Sequence, residues 1–412
     1  MRLAEEGFPV APVTSLGWQE AAGDNLATAL NGGELTVDGR APRPGELFHN
    51  PGLARTLKTV AEGGKKAFYE SEIAEAIAAA VQQAGGCLAP ADLAAHASTW
   101  ETPISTTYAG LRLWECPPNG QGLTALMAVN LLEGFDLAAL EPLCADRLHL
   151  EIEALRLAFA DAGWFVADPA KIKVPVEELL SKGYAAERRK LIDPQRASLD
   201  QKHGSPLAGS DTVYFCVVDQ LGNACSFINS LYMRFGTGIV PSGWGFALQN
   251  RGHNFSLDPQ HPNALAPGKR PYHTIIPALI TREEKEDTGQ DRPISTHHSL
   301  FSAFGVMGGF MQPQGHVQVF LALAQGFNPQ ASLDLPRFCI VDGMPGGRVG
   351  LEWEIKDGVA RDLLGRGHDV FRARAAQRGL FGRGQVILRD PLSGVLTGGS
   401  DPRADGCAMT LV

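Results

Sequence analysis

The sequence is poor in the patterns that announce a function at first sight. Its seven cysteines (Cys87, Cys116, Cys144, Cys216, Cys225, Cys339, Cys407) are odd in number, scattered, and form no CxxC pair. That excludes a zinc ribbon, a redox dithiol and a disulfide framework. Basic side chains are outnumbered by acidic ones, 36 to 45, for a formal net charge of -9. Nothing in that balance would draw nucleic acid or an anionic membrane as partner. No run of about 18 apolar residues is present to cross a bilayer. Glu5 and Glu6 fall where a secretory signal would need its apolar stretch. A GxGxxG turn after a strand, a Walker loop and a GxSxG elbow are all missing. His253, His261 and the pair His297-His298 lie in polar stretches without metal-ligand spacing. The expectation is a cytoplasmic protein with no cofactor, no metal, no nucleic acid and no membrane partner.

What is abundant is glycine and proline, 47 and 27 of 412 residues, together about 18% against an average near 12%. With no collagen period, the excess means many turns. A hydrophobic content of 44% and a charged content of 20% exclude a disordered chain. The length allows two to four domains or one large α/β unit.

The first two hundred residues are rich in helical patterns. Ile73, Ile77, Ala80, Val81 and Ala84 recur at steps of three and four across Ser71–Ala84, and Gly85-Gly86 follows as a stop. Further helices are predicted near Leu123–Leu132, after the turn Pro117–Gly122, and over about Asp146–Ala162, with Leu148, Ile152, Leu155 and Phe159 on one side. Gly204–Ser210 has the composition of a linker. Beyond it the pattern changes to strands at Val213–Val218 and Ala224–Ile228, apolar on both faces and therefore expected to be covered on both sides. More strands are predicted at Gly245–Leu248, Ile275–Thr281, Phe304–Met307 and Gln385–Leu388, with a helix near His316–Gln325. The polar stretch Arg282–Ser299 reads as a surface insertion. This order suggests an α/β or α+β sandwich.

Chemistry is most legible at Gly209–Phe215, where Thr212 stands between the linker and an apolar strand. One account is a β-branched residue opening a strand. The other requires the Asp211–Thr212 bond to be cut. Thr212 would then carry a free α-amine, with a pKa of about 7.7–8.0, beside its own hydroxyl. Nucleophile and general base would belong to one residue.

The runs DTVYFCVVDQLGNACSFINS (Asp211–Ser230), FGTGIVPSGWGFALQNRGHNFSLDP (Phe235–Pro259), NALAPGKRPYHTIIP (Asn263–Pro277), GVMGG (Gly305–Gly309), LPRF (Leu335–Phe338) and GSDPRADG (Gly399–Gly406) resemble the γ-glutamyltranspeptidase family. So do Ala61–Ile77, CPPNGQG (Cys116–Gly122) and Val166–Pro175. The resemblance implies an α+β fold, the four-layer αββα sandwich of N-terminal-nucleophile hydrolases. It implies one precursor cut into a large chain, 1–211, and a small chain, 212–412, which stay together as one structural unit; homo-oligomerisation stays open. Thr212 would be the nucleophile, with self-cleavage at Asp211–Thr212. Ser230 takes the place of a family threonine that hydrogen-bonds the nucleophile, or is an ordinary strand serine. Gly308 and Gly309 match the oxyanion-hole glycines, whose lack of side chain permits close approach of two N–H donors. Well-known members hold the γ-glutamyl end with an asparagine, a glutamine, an aspartate and a serine pair. Here those positions read Tyr232, Arg251, Asn254, His273 and Thr274. A carboxylate lost at Asn254 removes an ammonium partner worth roughly 1.5–3 kcal/mol. Arg251 favours an anionic group, unless it serves a surface or structural ion pair; His273 is a site wall or a packed histidine. The combination is most similar to a subgroup that includes oxamate amidohydrolase.

Met1–Val10 resembles the interior of the family's large chain, so the resemblance also implies a missing N-terminal part with a core strand and a substrate-binding arginine. Three readings follow: a γ-glutamyl or small carboxylate-bearing amide cleaved through a threonyl acyl-enzyme, an oxamate-type amidohydrolase without γ-glutamyl activity, or an inactive remnant with a binding role.

Overall fold

The computed structural model describes residues 1–200, 211–286 and 295–410. They divide into two compact units, Met1–Trp100 with Ser230–Arg251, and Glu101–Asn229 with Gly252–Val412. The linker predicted at Gly204–Ser210 lies outside the described residues.

The first unit is built on helices α1 (Pro51–Tyr69) and α2 (Glu72–Gln83). Asn50 caps α1, its Oδ1 accepting the Leu53 N–H at 2.9 Å, and Pro51 supplies a preset φ at the first helical position. The apolar face predicted for α2 is real: Ile73 and Ile77 are buried and cluster with Trp244. A second cluster joins Trp18, Leu26, Phe48 and Val240, with Trp18 edge-on to Phe48 at 4.7 Å. The strand expected at Gly245–Leu248 does not form. Gly245 has a φ of 67° and sits tightly on Leu53, and its carbonyl accepts from Asn50 Nδ2 at 2.8 Å. The helix end therefore takes the contact that a strand neighbour would have made.

In the second unit eight strands carry the architecture: β1 (Ile104–Tyr108), β2 (Leu111–Glu115), β3 (Asp211–Val218), β4 (Ala224–Tyr232, whose last three residues belong to the first unit), β5 (Ala278–Glu286), β6 (Ser295–Met307), β7 (Arg383–Arg389) and β8 (Leu396–Ser400). Six form an antiparallel sheet in the order β8-β7-β6-β5-β2-β1, and β3 pairs with β4 separately. The β1–β2 hairpin was not expected in the helical half. Its turn, Ala109-Gly110, takes positive φ at both residues, 49° and 77°, as a twisted two-residue hairpin turn requires. Of the polar stretch Arg282–Ser299, predicted as a surface insertion, residues 287–294 lie outside the described residues, and the rest is strand. It prolongs β5 to Glu286 and starts β6 at Ser295, and Arg112 pairs with Glu283 there.

Helices α3 (Gly122–Leu132), α4 (Ala145–Phe165) and α5 (Met311–Ala324) pack into one core with Leu113, Ile280, Phe304 and Val306. Every residue of α3 is buried, which explains an apolar content with no polar stripe. Alternation along β6 separates the layers. Phe304 and Val306 meet His316 and Gly315 of α5, whereas Gly305 points the other way, onto the Tyr214 ring of β3. The second unit is thus helices, a six-stranded sheet, the β3–β4 hairpin, and a small three-stranded sheet of Phe338–Ile340, Val349–Leu351 and Val370–Arg372. Contrary to expectation, that hairpin is covered on one side only. Val213, Phe215 and Val217 are 61%, 46% and 48% exposed, and Phe215 stacks on Phe227 at 4.8 Å on the open face.

The LPRF and GSDPRADG runs meet in a buried charge network. Arg337 Nη2 lies 2.8 Å from Asp401 Oδ2, and Arg403 Nη1 donates to Asp401 Oδ1 at 3.0 Å. Arg403 Nε also reaches Glu352 Oε1 at 2.8 Å, and Arg337 N–H donates to Glu352 Oε2 at 2.8 Å. Two guanidiniums face two carboxylates. Burial alone would raise the Asp401 pKa, but Arg337 and Arg403 hold it below its ordinary value.

Candidate active site

Thr212 is the second residue of β3 and is 7% exposed. It shares its face of the strand with Tyr214, two residues on. A Cβ at Gly305 would lie 2.5–2.7 Å from the Tyr214 ring, so only glycine admits that ring. The Tyr214 and Ser226 hydroxyls are 2.8 Å apart, and burial raises the Tyr214 pKa well above its ordinary value. Cys216 is pushed up to about 11 by burial, and so is Cys116. Both are thiols at neutral pH, so neither offers a thiolate nucleophile.

Three residues beyond Gly305, β6 ends in the turn Gly308-Gly309, with φ of 136° and 60°. A Cβ on Gly308 would come within 3.2 Å of Gly382 Cα and 3.3 Å of Met311 Cβ. The Gly308 carbonyl accepts from Met311 N–H at 3.0 Å, which turns the chain directly into α5. The Gly309 carbonyl accepts from Gln312 N–H at 3.1 Å and from Gln121 Nε2 at 2.8 Å. Gln121 is fully buried, and the same Nε2 donates to the Thr274 carbonyl at 2.6 Å. Its Oε1 accepts from the Tyr272 hydroxyl at 3.3 Å, and its own N–H donates to His273 O at 3.0 Å. His273 N–H in turn donates to Asn119 O at 2.9 Å, and Ile275 N–H donates to His273 Nδ1 at 3.3 Å. The structure therefore joins His273, Thr274 and Gly309 through the Pro117–Gly122 turn. Sequence reasoning named the two glycines but passed over Gln121; its only signal was the polar residue closing that turn just before an apolar helix.

Below this turn, β2 ends in Glu115, whose Oε1 lies 2.7 Å from His316 Nδ1 on α5, both side chains fully buried. Burial raises the Glu115 pKa, against the pull of His316. Asn254 lines a cavity of about 600 Å3 with Phe159, His253, Tyr272, Phe310 and Met344. Its Nδ2 donates to Tyr272 O at 3.0 Å, and its carbonyl accepts from Asn263 Nδ2 at 2.6 Å.

The other predicted residues belong to the first unit. Ser230 Oγ accepts from Tyr232 N–H at 2.8 Å. Tyr232 is buried with a φ of 80°, uncommon for a residue with a side chain. The Arg251 guanidinium lies 4.9 Å from the centre of its ring, and Arg251 is 4% exposed. Burial lowers the Arg251 pKa to about 10, so it remains a cation at neutral pH. A surface ion pair is therefore not its role. Among the described residues no group of three or more His, Cys, Asp and Glu side chains could hold a metal ion, and no helix is long and apolar enough to cross a membrane.

The family model for gamma-glutamyltranspeptidase matches residues 1–411. The glutathione hydrolase-like YwrD proenzyme of Bacillus subtilis is 34% identical over 411 residues, covering 98% of this chain and 74% of the relative. The oxamate amidohydrolase proenzyme of Klebsiella pneumoniae is 34% identical over 379 residues, covering 90% and 67%. The crystal structure of a cephalosporin acylase from Bacillus halodurans matches with a TM-score of 0.84 and 44% identity, over 98% of this chain and 72% of that one. The α+β architecture is accordingly that of an N-terminal-nucleophile hydrolase.

Proposed function

The chain belongs to the γ-glutamyltranspeptidase family of enzymes, and from that premise we propose that it is a self-processing threonine amidohydrolase. The observation that carries the reading is the placement of Thr212. It is buried at the start of a strand that packs on β6, and β6 ends in the double-glycine turn.

In self-cleavage, Thr212 Oγ1 attacks the Asp211 carbonyl carbon and the peptide nitrogen departs as the Thr212 α-amine. Water then hydrolyses the ester, leaving a carboxyl on Asp211. In turnover, the free α-amine accepts the Thr212 hydroxyl proton as Oγ1 adds to the substrate amide. Backbone N–H groups of Gly308 and Gly309 stabilise the oxyanion. The leaving amine takes up a proton, and water, or a second amine, removes the acyl group and regenerates the hydroxyl.

The acyl group we assign is one with a carboxylate and no α-ammonium. Asn254 is a neutral amide, engaged with Tyr272 O, where an ammonium would need a carboxylate. Arg251 keeps its positive charge at neutral pH. The name of an oxamate amidohydrolase among the relatives supports this class. The test is turnover of oxamate and of glutathione by purified protein, with Thr212→Ala as control. Oxamate hydrolysis that vanishes in Thr212→Ala is expected; glutathione turnover without oxamate turnover contradicts the acyl class.

A further inference from the structure

We infer that Gln121 is a positioning residue that locks the Gly308-Gly309 turn in its working conformation. The inference rests on the reading of that turn as the oxyanion site. Two consecutive glycines have the widest backbone freedom of any dipeptide, and both stand at positive φ, 136° and 60°. The start of α5 holds the turn's carbonyls from one side, through Met311 N–H on Gly308 O and Gln312 N–H on Gly309 O, and preorganised donors are what makes oxyanion stabilisation effective. Something must fix the peptide planes.

The Met311 N–H on Gly308 O sets the Gly308–Gly309 plane that carries the Gly309 N–H, and the bonds on Gln121 anchor the peptide that follows it. Its Nε2 has two hydrogens, and the structure sends one amide to two carbonyls: Gly309 O at 2.8 Å, after β6, and Thr274 O at 2.6 Å, in the segment entering β5. Gln121 is itself immobilised. Its side-chain oxygen receives the Tyr272 hydroxyl, its N–H bonds His273 O, and its carbonyl accepts from Thr124 N–H at 2.9 Å at the start of the fully buried α3. With no solvent access, the amide cannot exchange these partners for water. The Gly309 carbonyl is thus tied to a rigid helix start, and the plane of the Gly309–Phe310 peptide is set with it.

Three variants test this. Gln121→Met keeps the volume and removes both donors. Because deleting an oxyanion donor costs roughly 100- to 1,000-fold in kcat, loosening the turn is expected to cost about 10- to 100-fold, with KM within about threefold. Self-cleavage should slow in parallel. Gln121→Glu distinguishes positioning from bulk stability. When ionised, its carboxylate repels both carbonyls; when protonated, it donates to one. Its kcat relative to wild type should therefore rise as pH falls, which wild type does not do. If Gln121→Met fails to fold, Tyr272→Phe, which removes the hydroxyl donor to Oε1, should lower kcat by a few-fold in folded protein. Folded Gln121→Met with unchanged kcat, or a Gln121→Glu profile parallel to wild type, overturns the assignment while leaving the amidohydrolase reading intact. A wild-type protein that neither cleaves itself nor turns over an amide removes both.

Discussion

Substituting Asp401 by asparagine isolates the value of the buried charge network that joins the LPRF and GSDPRADG runs. In the native protein Arg337 and Arg403 face Asp401 and Glu352, all four side chains at most 2% exposed, and the partly exposed Arg378 reaches Glu352 Oε1 from the rim at 3.5 Å. The neutral amide would preserve shape and one acceptor, leaving the two buried guanidiniums, with Arg378 at the rim, against Glu352 alone. Asp401 also receives the Gly384 N–H at 2.8 Å and the Arg403 N–H at 3.0 Å, and these weaken when the acceptor is neutral. Breaking one member of a buried ionic set leaves an uncompensated charge, and the expected loss is about 3–5 kcal/mol. Urea unfolding of wild type and Asp401→Asn, followed by circular dichroism, measures it as a lower midpoint. Adding Arg337→Met removes the surplus positive charge, so the double variant should recover part of the loss rather than add to it. A loss below about 1 kcal/mol, or strictly additive single effects, would refute the reasoning.

Other parts of the molecule make equally definite predictions. Gly305→Ala puts a methyl 2.5–2.7 Å from the Tyr214 ring, and overpacking of this kind should cost about 1–3 kcal/mol in an unfolding titration. His368 and Glu153 carry opposed pH dependences. Burial, with Arg156 adding to it, lowers the His368 pKa to about 3, and burial raises that of Glu153 to about 7. As pH falls below the ordinary histidine value near 6.5, the unfolded chain gains a proton that folded His368 refuses, so stability is lost. As pH falls below about 7, folded Glu153 takes a proton before the unfolded chain does, so stability is gained. The contributions of these two groups should therefore largely offset each other between these limits. Glu153→Gln should lose about 2 kcal/mol from pH 6.5 to 5, and His368→Gln should gain stability over the same range. Equal pH profiles for all three proteins would show that these groups are not shifted as described.

Much of the fold could be read from residue spacing because burial leaves a periodic trace. The steps of three and four in Ser71–Ala84 and Asp146–Ala162 correspond to α2 and α4. The β1–β2 hairpin was missed because Ile104–Tyr108 reads ISTTY, with no apolar alternation to mark a strand, although Ala109-Gly110 is a fair turn signal. The β3–β4 hairpin exposes a different limit. Its two apolar faces suggest cover on both, but sequence carries no record of what lies opposite, and Val213, Phe215 and Val217 are open. At the candidate site, Thr212, Gly308 and Gly309 stood out through their surroundings along the chain. Gln121 did not, because its partners Thr274 and Gly309 lie more than 150 residues away in sequence. The same holds for Arg337, Asp401 and Arg403: resemblance flagged their motifs, and only packing shows that they hold a charge network rather than a substrate.

Cleavage before Thr212 is the claim on which the rest depends, and the intact mass of the purified protein tests it most directly. The account predicts two chains, residues 1–211 and 212–412, the second with Thr212 as its first residue, and one uncut chain for Thr212→Ala. A wild-type protein that remains a single chain of 412 residues, or a Thr212→Ala variant cut at the same bond, would contradict it.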